Sequence, residues 1–366
     1  MKAGGGTKSL MIKQTALKSI LSRMHKTGSD KEAVRTLYRF LISEDTKNLL
    51  HINPNYMAVH CRFNRETMLQ LVIEGVIQGL FEMHWDIVCP HCGGLADHTH
   101  HLSGIKSDNY CQSCQVNFSN FADQNITVTV SLQPELFDEP PGEYVSDAGN
   151  SDDRLRPVTA LDLIGIPAFR KHFSNQIPAL DQSIKIRSVS VLFTDLIHST
   201  ALYSQMGDLN AYAFVKDHFD LLFGEIVRHQ GGIIKTIGDA VMAVFQDAKS
   251  PIRVSFQIKD IFMKLLNNRF GIDDGGIKMG ISSGTALIVN MNDNLDLFGS
   301  TVNLAARIVN LADRDSIAVT PAILEDLEVQ KFLAKENLIV KTLKEKLKGI
   351  PGISDIHLLI REKEQG

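Results

Sequence analysis

The chain has 366 residues, 44% of them hydrophobic, and its 38 basic against 42 acidic residues give a net charge of -4. That length supports two cores rather than one, and that balance excludes a general electrostatic attraction for nucleic acid or an anionic membrane. No apolar run approaches the roughly 18 to 20 residues of a membrane span, and the N-terminus lacks the apolar stretch of a secretory signal, so the expectation is a cytoplasmic protein without membrane insertion.

Residues 1–30 read as an N-terminal helical extension, with Leu17, Ile20, Leu21 and Met24 on one face of a short docking helix. From Lys31 to Trp85 the pattern reads as helices, most clearly in RETMLQLVIEGVIQGLFEMHW, where Met68, Leu69, Val72, Val76 and Leu80 recur at helical spacing. Two cysteine pairs follow, then NITVTVSL, whose β-branched run reads as a strand. Residues 31–133 are thus expected to form a small regulatory domain, and 134–156, rich in Pro, Gly and acid, a linker. From 157 to 366 long elements alternate. They are a strand IRSVSVLFTDL, a helix over about 209–229 stopped by Gly231 and Gly232, and a hairpin over 233–245. A helix over about 254–267, a strand GIKMGISSGTALIV, a helix over about 300–311 and the strands SIAVT and LIVKTLKEKLKGIPGISDIHLLI complete the order. Interleaved strands and helices with one tight hairpin predict an α+β sheet with helices on one face.

Cys89, Cys92, Cys111 and Cys114 stand as C-x2-C-x18-C-x2-C, a spacing of four-cysteine zinc sites, and in a cytosolic chain it favours metal over disulfides. A closed site of this kind staples a subdomain, so a structural Zn2+ is expected. His84, His91, His98, His100 and His101 are spare ligands where four thiolates suffice, and Cys61 reads as a small core residue. A nucleic-acid ribbon is the competing reading. Between Trp85 and Gln124, however, there is one Lys, no Arg and four Asp, a poor match to phosphate.

The nearly apolar run IIKTIGDAVMAVF carries Lys235 and Asp239, and a buried carboxylate must be paired, protonated or bound to a cation. Asp195 ends the apolar strand VSVLFTDL. If strand and hairpin are neighbours, both carboxylates project at one sheet edge, as two-metal phosphoryl transfer requires; either taken alone reads first as a strand-end turn cap. In STVNLAARIVNLA, Asn303, Arg307 and Asn310 form one polar stripe on a helix otherwise apolar. A guanidinium there needs an anion, either a phosphate or an internal carboxylate.

VLFTDL, GGIIKTIGDAVMAVF and DLFGSTVNLAARI resemble, in order and spacing, the motifs of class III nucleotidyl cyclases over about residues 186–361. GLFEMHWDIVCPHCGG and CQSCQVNF resemble the zinc-containing segment that precedes cyclase domains in some bacterial proteins. The resemblance implies a ferredoxin-like, palm-type α+β domain with a mixed sheet, preceded by a small, mainly helical domain with a zinc ribbon. It implies that Asp195, Asp239 and the Leu196 carbonyl hold two Mg2+ or Mn2+ ions, and that Lys235 and Asp296 read the base. Asn303 would position the ribose, Arg307 would stabilise charge on the α-phosphate, and Lys348 is the candidate for the phosphate tail. A Lys and Asp base pair favours ATP over GTP, so the implied activity is adenylyl cyclase. Guanylyl cyclase and a catalytically inactive nucleotide-binding regulator are the alternatives. The two sets of residues serve different domains in this family, which implies a head-to-tail homodimer with two equivalent sites. Two positions depart from the pattern. His198 stands where many relatives have Gly, a strained placement if the turn needs positive φ, and Ile350 replaces a second phosphate-binding lysine.

Overall fold

The computed structural model describes residues 12–44, 46–139, 155–272 and 275–361; most of the expected linker, 140–154, lies outside the described residues, as do residues 1–11 of the N-terminal extension. Contacts divide the chain into two compact units, Met1–Leu163 with Ala168–Gln182, and Ile164–Pro167 with Ser183–Gly366.

The first unit opens with α1 (Gln14–Lys26), α2 (Lys31–Ser43), α3 (Pro54–Cys61) and α4 (Arg65–Ile77). Leu17, Ile20, Leu21 and Met24 of α1 are all buried, as the amphipathic pattern predicts. Side-chain caps fix the next three starts, Asp30 accepting from Ala33 N, Asn53 from Asn55 N and Asn64 from Thr67 N. The helical reading of FEMHW is wrong. α4 ends before Gly79, which takes φ +77°, and the chain turns into β1 (Phe81–Val88). Phe81, Met83, Trp85 and Ile87 are buried on one face with period two, and Leu80 falls at helical spacing only because a short apolar run fits both periods. β1 is the centre of a three-stranded antiparallel sheet between β2 (Leu95–Thr99) and β5 (Ile126–Leu132), while β3 (Asp108–Tyr110) and β4 (Asn117–Ser119) form a separate ribbon. The unit thus sets a small sheet and a short ribbon beside four helices, which still hold most of its regular residues.

After β5 come α5 (Ala160–Ile164) and α6 (Pro167–His172). The segment from Ala168 to Gln182, read from sequence as part of the second domain, packs within the first unit. Buried Gln176 holds it there: its Oε1 accepts from Trp85 Nε1 and Leu102 N, both at 3.0 Å, and its Nε2 donates to His100 O at 2.8 Å.

The second unit is built from β6 (Ser183–Leu196), α7 (Ser199–Met206), α8 (Asp208–Arg228), β7 (Gly232–Ile237), β8 (Ala240–Phe245), α9 (Lys249–Leu265) and β9 (Ile277–Met291). These strands lie in the order β9-β6-β8-β7, all antiparallel, which is the ferredoxin-like arrangement of a βαββαβ chain. β10 (Asn294–Phe298) folds back on β9. Next come α10 (Ser300–Ile308), β11 (Ser316–Val319), α11 (Pro321–Leu324), α12 (Leu327–Lys335), β12 (Leu338–Glu345) and β13 (Ser354–Arg361). β11 joins β9 in parallel and β13 and β12 extend that edge, so the sheet is mixed.

Helices cover both faces of this sheet, not one. Ile317 and Val319 join the cluster of α8 and α9, whereas Ala318 between them joins Ile308 of α10 with Ile356 and Leu358. Successive strand residues point to opposite faces, so α10 lies opposite α8 and α9. No described helix is long and apolar enough to cross a membrane.

Candidate active site

Asp195 is the penultimate residue of β6, and Asp239 sits with Gly238 in the two-residue turn between β7 and β8, whose flanking residues Ile237 and Ala240 pair. β8 pairs with β6, so strand end and turn come to one edge. Burial, and then the charge of Asp239, hold the Asp195 carboxyl above its usual range against the pull of Lys278, whose Nζ is 3.9 Å away. Two half-buried carboxylates that repel each other, with Lys278 at a distance from Asp195, form an oxygen-rich set suited to Mg2+ or Mn2+. His218 of α8, fully buried, donates from Nε2 to the Asp239 carbonyl at 3.0 Å, and the Tyr203 hydroxyl lies 3.4 Å from Asp239 Oδ2.

Lys235 and Asp296 meet. Nζ is 2.5 Å from Oδ2, while Asp296 Oδ1 accepts from the Leu297 N–H at 2.8 Å. A bulge between Ile233 and Lys235 buries Ile233 and Ile234 in succession and leaves Lys235 half-buried. The strand that carries Asp296, β10, does not stand apart in the sequence. It is the return arm of a hairpin through Asn292 and Asp293, which both adopt positive φ.

α10 begins immediately after Gly299 and presents Asn303 exposed and Arg307 half-buried. Arg307 Nη1 is buried and has no hydrogen-bond partner among the described residues. Gly349, at φ +72°, closes over it: a Cβ there would lie 3.1 Å from Nη1 and 3.3 Å from Nη2. Lys348, next to Gly349, is exposed. A guanidinium nitrogen denied both water and a protein acceptor is a fit for an incoming phosphate oxygen.

His198 adopts φ +56° and ψ +31° at the start of α7, the left-handed conformation expected of a position where Gly is usual. Sequence reasoning did not pick out Lys278, Tyr203 or His218. The signals existed for two of them: Lys278 interrupts an apolar strand, and His218 stands between Phe214 and Leu222 on the buried face of α8.

In the first unit, the Sγ atoms of Cys89, Cys92, Cys111 and Cys114 all lie within 4.8 Å of one another, with Cys89–Cys114 and Cys92–Cys111 at 3.6 Å. A tetrahedral ion with bonds of about 2.3 Å needs sulfur separations near 3.8 Å, so the four thiols fit one ion. Two matching knuckles arrange them, Gly93 N donating to Cys89 O and Gln115 N to Cys111 O, both at 2.9 Å. The Cys114 N–H, first among the groups around it, pulls the Cys111 thiol down to about 6.

Residues 182–350 match the family described as the adenylate and guanylate cyclase catalytic domain. Residues 14–138 match a family of unknown function, DUF5939. Similar curated proteins include an adenylate cyclase of Streptomyces coelicolor, 29% identical over 150 residues that make 40% of this chain and 36% of the relative. Another is an adenylate cyclase of Anabaena cylindrica, 27% identical over 175 residues, 44% of this chain and 34% of the relative. The chain thus matches about a third of the length of these relatives. Among solved structures, the adenylyl cyclase CyaB from P. aeruginosa aligns with 19% identity and a TM-score of 0.43, over 50% of this chain and 98% of that one.

Proposed function

We propose that this protein is an adenylyl cyclase that converts ATP to 3′,5′-cyclic AMP and pyrophosphate in sites shared across a head-to-tail homodimer. The observation that carries the reading is that one chain holds two incomplete halves. Asp195 and Asp239 repel each other with Lys278, 3.9 Å from Asp195, as a distant counter-charge, while Arg307 Nη1 is buried with no hydrogen-bond partner among the described residues. A second copy would supply to each half what it lacks.

Asp195, Asp239 and the Leu196 carbonyl would hold two Mg2+ or Mn2+ ions, which when bound supply Lewis-acid polarisation of the phosphates and of the attacking hydroxyl. The ribose 3′-oxygen attacks the α-phosphorus in line, its proton leaves, and the bond to the bridging oxygen of pyrophosphate breaks. Lys235 donates to a ring nitrogen of adenine and Asp296 accepts from the exocyclic amine; their ion pair keeps both side chains oriented before the base arrives. Asn303 positions the ribose, Arg307 offsets charge developing on the α-phosphate, and Lys348 contacts the phosphate tail. The four cysteines would hold a structural Zn2+, residues 31–133 would form the regulatory domain, and the protein would act in the cytoplasm.

The test mixes Asp239→Ala with Arg307→Ala. Each variant alone should be inactive, and an equal mixture should recover about a quarter of wild-type turnover, because half the dimers are mixed and each has one intact site. Two folded variants that recover nothing when mixed would rule out shared sites. Offering ATP and GTP in competition reads the base preference directly.

A further inference from the structure

Lys259 projects from α9 into the interior of the second unit, 6% exposed, and its ammonium forms no ion pair with a carboxylate among the described residues. It donates instead to three backbone carbonyls: Ile277 O, Asp313 O at 2.9 Å and Arg314 O at 3.4 Å. Holding a charge in this position is costly unless every proton of the ammonium has an acceptor, and here each has one.

The three acceptors belong to the two segments that frame the site. Ile277 is the cross-strand partner of Leu196 and its neighbour Lys278 that of Asp195, while Ile197 N donates to Gly276 O at 3.0 Å. The start of β9 therefore fixes the strand end that presents the metal-binding carboxylate. Asp313 and Arg314 follow α10, which carries Asn303 and Arg307, after one further turn. We propose that Lys259 is a positioning residue that couples the carboxylate half of the site to the guanidinium half within one protomer. This rests on the cyclase reading above. In a dimer with shared sites, each protomer's two halves serve different active sites, so a joint behind both halves sets their spacing in both sites at once.

Burial pushes the Lys259 ammonium down to about 8, against the charges of Asp313 and Asp315, the acidic groups that act on it. Above that pH the amine keeps two N–H donors for three carbonyls, and the joint loosens.

The experiment compares full-length Lys259→Met and Lys259→Gln with wild type. Turnover is measured from pH 7 to 9 under saturating Mn2+, and amide hydrogen exchange is followed at residues 275–281 and 312–317. Lys259→Met should lower kcat about tenfold, with KM for ATP changed less than about twofold. Wild type should lose kcat above about pH 8 while Lys259→Gln, which keeps two donors and should fold if the Met variant does not, stays flat. Exchange should rise at both segments together. Unchanged kcat with an unaltered alkaline limb, or faster exchange at one segment only, would overturn the proposal. A wild-type chain that makes no cyclic nucleotide would instead overturn the cyclase reading, and exchange would still decide whether Lys259 joins the two segments.

Discussion

Lys235 and Asp296, 61 positions apart in sequence, meet with Nζ 2.5 Å from Oδ2, one on β7 and the other on β10. Asp296 is nearly buried and Lys235 about one-third exposed, so the ammonium is the partner that compensates an otherwise costly carboxylate. The same two side chains keep unused hydrogen-bonding capacity, and that capacity is what a purine edge would engage.

Charge reversal separates these two roles. Lys235→Glu sets two carboxylates face to face and should destabilise the second unit by about 1–2 kcal/mol, discounted for the exposure of Lys235. Adding Asp296→Lys should restore most of that stability in thermal unfolding while ATP turnover stays at least about tenfold down. Recovery of ATP turnover in the double variant would mean that the pair does not read the base.

Gly349→Ala puts a methyl group 3.1 Å from Arg307 Nη1 at a backbone φ of +72°. Strain of about 1 kcal/mol is expected, together with a displaced guanidinium. Steady-state kinetics should show kcat down by about tenfold and KM for ATP nearly constant.

His198 adopts a left-handed backbone conformation, and its side chain is exposed. His198→Gly should leave kcat within about twofold and stability within about 0.5 kcal/mol, since relieved strain offsets the added freedom of the unfolded chain. His198→Val, β-branched, should cost about 1–2 kcal/mol. A large kcat loss in the glycine variant would give the imidazole a chemical role instead.

Acid should loosen the first unit. His84 stacks on His51 with ring centroids 4.2 Å apart, and burial, then the His51 charge, push it down to about 3. A histidine kept neutral in the fold has its full stability above its unfolded pKa of about 6.5, and loses stability as pH falls from there toward 3. His51 works the other way. Its bond to Asp86, 3.1 Å away, raises it, so its contribution is present below about 6.5 and is lost as pH rises through the raised value. Unfolding of the full chain at pH 7 and pH 4.5 should show a loss of a few kcal/mol in the first unit, reduced in His84→Gln.

Metal removal should strike the same unit. The purified chain should carry one equivalent of zinc, and Cys111→Ser should abolish it and lower the first unfolding transition by several degrees. A fully reduced, metal-free chain with an unchanged transition would show that the four thiols need no ion.

The candidate site residues stand out in sequence because each sits in a short motif whose local chemistry is anomalous: a carboxylate closing an apolar strand, a guanidinium on an apolar helix, paired cysteines two residues apart. Those features are set by neighbours within a few positions. What the sequence left open depends on partners far along the chain. FEMHW is a strand because β5 pairs along all of it, β10 exists because it folds back on β9, and α10 takes the opposite face because Ile308 meets Ala318 and Leu358 there. Lys259 resembles an ordinary helical residue until folding brings the carbonyls of Ile277 and Asp313 to it, and only folding makes the Asp239 carbonyl the partner of His218. A side chain buried by folding must find acceptors within about 3 Å, and only the tertiary structure decides which backbone supplies them.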